Sequence, residues 1–208
     1  MSFSTYKIGG ALDYDNVATT CVFSNAIIVN VHFQAGCSQS SDTRRRALAD
    51  ACAQCRQVQF RALVAFLDEN YSPISAIVCG DFNAHLDGGE QWPEMNGWPL
   101  HDWLDTFRQY HPNQPGWTED TQRNIMRWNL KFKSKHYRYD GIFVRSPSAP
   151  QITDSRLVGV EPFSLSRTDS QAVIDCTPAH QRGQLILHEG RFAWFVSDHF
   201  GVMSTVEL

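Results

Sequence analysis

The sequence predicts an α+β fold, on three observations. Short apolar runs rich in β-branched residues recur along the chain, as in Ala26-Ile27-Ile28-Val29 and Ala76-Ile77-Val78-Cys79. Only one long segment, Arg44 to Asp68, has helical periodicity. The element order is therefore mostly strands with few helices, which argues for layered sheets.

Cys21 to Phe23 and Ala26 to Phe33 read as two strands joined by a tight turn at Ser24-Asn25. The unbroken apolar run Ala26 to Val29 predicts a strand buried on both faces. Gly36 to Thr43 is small and polar, a loop. In the helix, Leu48, Cys52, Cys55, Gln59, Leu63 and Phe66 recur at helical spacing, and Asp42 is the expected N-cap. A buried strand follows at Ser75 to Cys79 and ends in Gly80-Asp81-Phe82-Asn83. After a Gly/Pro/Trp-rich loop comes a short helix, Leu100 to Tyr110, and then a turn cluster around Pro112 and Pro115. Further strands are expected at Tyr139 to Arg145, within Gln151 to Phe163, and at Phe200 to Leu208. Gln184 to Val196 reads as a hairpin turning at Glu189-Gly190.

The 208 residues are 42% apolar with a net charge of −4, which is globular and sized for one domain. No apolar run approaches the ~20 residues of a membrane span. The start lacks a basic stretch followed by an apolar one, so no secretory signal is read there. Six irregularly spaced cysteines read as reduced thiols of an intracellular protein, and Cys52-x-x-Cys55 as two thiols one helical turn apart. Charge is uneven: Arg123 to Arg145 holds seven of the 18 Lys/Arg and one of the 22 acids, so that segment is +6 and the remainder −10. Trp128, Phe132, Tyr137 and Tyr139 are interleaved with those charges. The pattern suits either a phosphate-bearing partner or a solvated basic face.

Polar residues interrupt the apolar strands at their ends. These are Asn30 and His32, Asp81 and Asn83, Asp140, and finally Ser197-Asp198-His199. Residues two apart on a strand share a face, so Asn30 should point with His32, and Asp81 with Asn83. Acid, amide and imidazole at four strand ends are the groups needed for metal-assisted attack on phosphorus.

With these motifs in order, Asn30-Val31-His32-Phe33-Gln34-Ala35, Gly80-Asp81-Phe82-Asn83, Tyr139-Asp140-Gly141-Ile142-Phe143 and Ser197-Asp198-His199, the chain resembles the endonuclease/exonuclease/phosphatase (DNase I-like) superfamily. The resemblance implies part of a four-layer α/β/β/α sandwich and a phosphodiesterase or nuclease that uses Mg²⁺ or Mn²⁺. It implies that Asp81 orients or deprotonates the attacking water and that Asn83 positions it. It also implies that His199 and His32 contact the phosphate, that Asp140 orients His199, and that Asp198 lies at or beside the metal. Asn30, Trp117 and Arg138 are implied as substrate contacts.

Two branches are similar. Asp102-x-x-Asp105, Trp117 to Gln122 and Arg138-Tyr139-Asp140 resemble tyrosyl-DNA phosphodiesterases, which implies a nucleic-acid end as substrate. Glu119 and His85 depart from that branch's Trp and Arg. His32-x-Gln34-Ala35 with Arg56-Gln57-x-x-Phe60 resembles neutral sphingomyelinases and implies a phospholipid.

The family's principal metal-binding Glu precedes these motifs, whereas the first glutamate here is Glu69. Lys7 to Leu12 resembles the strand just before the first motif, and Asp13 and Asp15 read as ordinary strand or turn residues. The expectation is therefore one domain, residues 1–208, forming the C-terminal portion of the family fold, with an insertion near 164–194 that reaches substrate or partner. On this reading the chain is either a fragment or truncated gene model, or a partner chain supplies the missing half. The alternative is a non-catalytic subunit derived from this fold.

Overall fold

The computed structural model describes residues 2–7, 17–36, 43–89, 92–98, 102–124, 134–164, 171, 175, 187–188 and 191–208. In chain order the elements are β1 (Ser2–Lys7), β2 (Val17–Val22), β3 (Ala26–His32), α1 (Thr43–Tyr71), β4 (Ser75–Asp81), a 3-10 turn (Pro93–Gly97), β5 (Leu104–Asp105) and α2 (Thr106–Tyr110). They continue with β6 (Glu119–Asp120), β7 (His136–Tyr137), β8 (Asp140–Arg145), β9 (Gln151–Val158), β10 (Phe163–Ser164), β11 (Leu187–His188), β12 (Arg191–Trp194) and β13 (Gly201–Glu207). The expected N-cap Asp42, the segment 8–16 with Asp13 and Asp15, Cys37, Cys176, the aromatics Trp128 and Phe132, the turn at 189–190 and most of the 164–194 insertion lie outside the described residues.

The described chain forms two compact units. The first comprises Met1–Gly116, Arg138–Arg156 and Val202–Leu208, and the second Trp117–Tyr137 and Leu157–Gly201. The first is built on a six-stranded sheet in the order β1-β2-β3-β4-β8-β5. Strands β3 and β4 are parallel, and α1 is the crossover that such a pair requires. All other neighbours in that sheet are antiparallel.

Helix α1 runs 29 residues without a glycine or proline, and Pro73 stands just past its end. Its buried stripe, Ala49, Cys52, Cys55, Arg56, Gln59, Phe60, Leu63 and Leu67, follows helical spacing. Leu48 and Val58, two of its apolar residues, are exposed. Phe60 stacks on Trp98 at 4.6 Å and meets Phe33 and Phe82 edge-on at 6.0 and 6.4 Å. Phe82 also meets Phe33 and Phe143 at 5.4 and 5.2 Å. This aromatic cluster is the core beneath the ends of β3, β4 and β8, and aromatic pairs add stabilisation beyond their area.

Several sequence expectations change in extent. β1 was not foreseen. The helix expected over 100–110 is only α2, because Leu104–Asp105 pairs with β8 and the Asp105 side chain caps α2 by accepting from Arg108 N–H. β3 is buried along Ala26, Ile27, Val29 and Val31, but Asn30 and His32 are exposed, so the strand has one wet face at its end. The expected terminal hairpin is present as β11 and β12, with β10 on the other side of β12. β13 pairs with β9, and a hydroxyl chain from Ser155 through Ser204 to Thr106, each step 2.8 Å, ties that pair to α2.

Phe82→Ala removes the ring shared by four aromatic neighbours and should cost about 3–5 kcal/mol of stability in urea unfolding. Leu48→Ser, at an exposed position, should stay within about 0.5 kcal/mol of wild type. Equal effects would contradict the placement of the core.

Candidate functional site

The first unit brings three of the expected site residues into one row. His32 closes β3, Asp81 closes β4 and Asp140 opens β8. In the ladders His32 is the partner of Asp81, and Asp81 the partner of Asp140. Cross-strand partners share a face, with strands about 4.8 Å apart. His32 Nε2 lies 3.7 Å from Asp81 Oδ2, with the His32 side chain 72% exposed and that of Asp81 21%. Asn30, two residues before His32, is exposed on the same face.

Two glycines stand one step inside the row. Gly80 is the partner of both Val31 and Gly141. It has φ 138°, and a Cβ there would lie 1.9 Å from the Val31 carbonyl oxygen. A Cβ on Gly141 would meet Leu86 Cδ1 at 2.5 Å. Any side chain at Gly80 would therefore push apart the strands that align the row.

Asn83 reaches the site by a different route from the one its spacing implies. The strand ends at Asp81, and Asn83 sits at φ 51°, so alternation along a strand does not set its direction. Its backbone N–H donates to Asp81 Oδ1 at 2.8 Å, and its Nδ2 donates to the Phe33 carbonyl at 3.0 Å. The turn fixes one Asp81 oxygen and ties the ends of β3 and β4 together. From α1, Gln59 Oε1 accepts the Gln34 N–H at 2.9 Å and Arg56 donates to the Gln34 carbonyl at 3.1 Å. Arg56 is itself paired with buried Glu94. Arg56 of the sphingomyelinase-like pattern, together with Gln59, thus grips the chain just past His32.

Arg138, expected to contact substrate, is instead fully buried. Its guanidinium is forked between Asp105, at 3.1 and 2.6 Å, and Asp87, at 2.9 and 3.4 Å. A buried guanidinium needs such paired acceptors, so its role is to brace the loop after β4 against β8. Arg108 adds a second fork to Asp87. Burial works against the charge of Arg138, but Asp105 and then Asp87 outweigh it and hold its pKa above the ordinary value. Burial likewise raises Asp87, yet Arg138 and Arg108 prevail and hold that carboxyl below its ordinary 3.8.

His85 was noted in the sequence only as a departure from a pattern. Its Nδ1 accepts the Arg138 N–H at 3.0 Å, which places the ring proton on Nε2. Burial pushes its pKa below 6.5, with the Arg138 charge adding to that and Asp87 opposing it.

The basic segment is largely neutralised among the described residues. Lys135 pairs with buried Glu119, Arg123 with Glu161, and Arg145 with Asp68. Glu119 is therefore a core ion-pair partner, whereas Arg127, Lys131 and Lys133 lie outside the described residues. In the second unit Trp117 packs on His136 at 4.3 Å. Asp198 and His199 follow Ser197, whose hydroxyl accepts the His199 N–H at 3.2 Å and approaches Asp198 Oδ1 at 3.4 Å. Cys52 and Cys55 are buried thiols on α1, as read. No described helix is long and apolar enough to cross a membrane.

The lowered His85 and Asp87 values make stability fall on acidification, because the unfolded chain binds protons that the folded one refuses. The His85 contribution is lost as pH drops below 6.5, and the Asp87 contribution as pH falls further, below 3.8. Urea midpoints measured against pH should decline over both ranges, and His85→Gln should flatten the upper one. A His85→Gln curve parallel to wild type would contradict the assignment.

No family model and no curated protein matches the chain. Solved structures do. TDP2 of D. rerio complexed with single strand DNA product shares 18% identity at TM-score 0.62, covering 100% of this chain and 68% of that one. The mannosyl-6-phosphatase of Bacteroides thetaiotaomicron shares 14% at TM-score 0.57, covering 100% and 66%. The beta toxin of Staphylococcus aureus shares 16% at TM-score 0.56, covering 91% and 56%. These are DNase I-like structures, and the likeness shows that fold for this chain. The chain spans between about half and two thirds of their length.

Proposed function

We propose that the protein is a metal-dependent phosphoric ester hydrolase of the phosphodiesterase type, acting by in-line attack of water. The observation that carries this reading is the row of His32, Asp81 and Asp140 in register across three adjacent strands. Two carboxylates directly opposed across an antiparallel pair repel each other, so a site of this kind favours a cation between or beside them. Hard carboxylate oxygens suit Mg²⁺ or Mn²⁺. Asp81 and Asp140 would be available to such an ion, and Asp198 is the ligand that the family resemblance implies. When bound, the ion would supply Lewis-acid stabilisation of phosphoryl charge.

The chain's own groups account for the rest. Asp81 Oδ1 accepts the Asn83 N–H, and Oδ2, beside His32, is the oxygen we assign to take a proton from water. His32, exposed beside it, donates to a phosphoryl oxygen. His199 is the second such donor and Asp140 its orienting carboxylate, as the resemblance implies. Asn83, held by its turn, offers its remaining amide proton to the water or the phosphoryl group.

A nucleic-acid end is the substrate we favour. The Trp117 to Gln122 and Arg138 to Asp140 patterns support it, as does the likeness to TDP2, which is complexed with single strand DNA product. The phospholipid reading rests on His32, Gln34, Ala35, Arg56, Gln57 and Phe60, of which Gln34, Arg56 and Phe60 are buried. A further chain completing the domain belongs to the same proposal.

Bis-p-nitrophenyl phosphate, a single-stranded oligonucleotide and sphingomyelin vesicles, each with and without Mg²⁺, separate these readings. We expect Mg²⁺-dependent turnover, preference for the oligonucleotide, and a loss of about 10²–10⁴-fold in Asp81→Asn. Preference for the vesicles would overturn the substrate class. Absence of turnover together with absence of Mg²⁺ binding would leave a non-catalytic subunit.

A further inference from the structure

The second unit holds the Ser197–Phe200 turn from two sides. Asn124 is fully buried, and its Nδ2 donates to the Ser197 carbonyl at 2.9 Å. Buried Thr118 accepts the Phe200 N–H on its carbonyl at 2.8 Å. Between these anchors the Ser197 hydroxyl accepts the His199 N–H. The backbone on both sides of His199 is thus fixed by groups 73 to 82 residues away in sequence.

The anchors are themselves immobilised. Asp120 Oδ1 accepts the N–H groups of Gln122 and Arg123, and the Asp120 carbonyl accepts that of Asn124 at 2.7 Å. This closes a turn that aims the Asn124 amide. Thr121 bonds Lys135 through both its hydroxyl and its N–H, and Lys135 reaches buried Glu119 at 3.0 and 3.3 Å. Glu119 is ion-paired beneath the turn, and β6 carries it between Thr118 and Asp120. Because Asn124 is fully buried, losing its bond to the Ser197 carbonyl would leave its amide donor unsatisfied, which is costly. It is therefore a rigid handle on the turn.

We propose that Asn124, seconded by Thr118, is a positioning residue for His199, setting the backbone direction from which the imidazole meets a phosphoryl oxygen. This rests on the phosphoester-hydrolase reading above. A misplacement of about 1 Å at a reacting group can cost about 10²-fold in rate. Asn124 thus acts on turnover without touching substrate.

Asn124→Asp tests this: it keeps the shape of the side chain but replaces its donor with an acceptor facing the Ser197 carbonyl. Thr106→Val, which breaks the Thr106–Ser204 contact in the other unit, controls for general loss of stability. With bis-p-nitrophenyl phosphate and Mg²⁺ we expect kcat to fall about 10- to 100-fold in Asn124→Asp, with KM within about threefold. In parallel, ¹⁵N relaxation should show the Ser197 to Phe200 amides more mobile and the His199 ring resonances shifted. Thr106→Val should leave both readouts near wild type. Should Asn124→Asp fail to fold, Asn124→Ala carries the same measurements. Unchanged 197–200 resonances, or equal effects from Thr106→Val, would overturn the proposal. If wild type turns over no phosphoester, the hydrolase reading falls by itself, and the relaxation data still decide whether Asn124 holds the turn.

Discussion

The pairing register of β3, β4 and β8 is the constraint on which the first unit's chemistry depends. Because side chains alternate with period two, a slip of one residue would turn Asp81 away from both His32 and Asp140 and bring a glycine into the row. The register is held by what lies just beyond it. Gly80 and Gly141 permit the close approach of the three strands. The turn at Asn83 bridges the ends of β3 and β4, and Gln59 and Arg56 grip the backbone at Gln34. On the opposite face Val29, Val31, Val78 and Phe143 are buried, with the Phe33, Phe60, Phe82 and Trp98 rings gathered beneath the row's end. The polar row thus stands on a dry, aromatic foundation.

Charge is arranged in two sets. One set joins Arg138, Asp87, Asp105 and Arg108 so that each guanidinium meets carboxylates, with Arg138 fully buried and Asp87 and Arg108 partly exposed. Such sets stabilise little in net terms but are costly to break, so they fix geometry more than they add stability. The other brings Asp81 and Asp140 opposite each other in the ladder, with His32 beside Asp81. The first arrangement matches its charges internally, and the second is the one we propose for a cation.

Much of this was legible in the sequence, and the failures have identifiable causes. The strand ends bearing His32, Asp81 and Asp140 were recognisable because a short polar residue ending a β-branched run is conspicuous. The single helix was readable from its period. Asn83 was placed with Asp81, but by alternation along a strand, whereas a turn at positive φ brings it there. Arg138 was read as a substrate contact because the family resemblance implied it, through the Arg138-Tyr139-Asp140 pattern. Its acceptors, Asp87 and Asp105, are 51 and 33 residues away, and nothing local marks them as partners. β1 escaped notice because Ser-Phe-Ser-Thr-Tyr-Lys is polar, and its strand character comes from pairing with β2. Asn124 was not singled out, since its partner carbonyl is 73 residues distant.

We propose that the row of His32, Asp81 and Asp140 attracts a divalent cation. Titration of ¹⁵N-labelled protein with Mn²⁺, an ion that broadens nearby resonances, addresses it directly. Early, selective broadening of the amides of His32, Phe82 and Gly141 is expected, relieved by excess Mg²⁺ and abolished in Asp81→Asn. Broadening centred on other acidic residues, or a pattern that Asp81→Asn leaves intact, would contradict it.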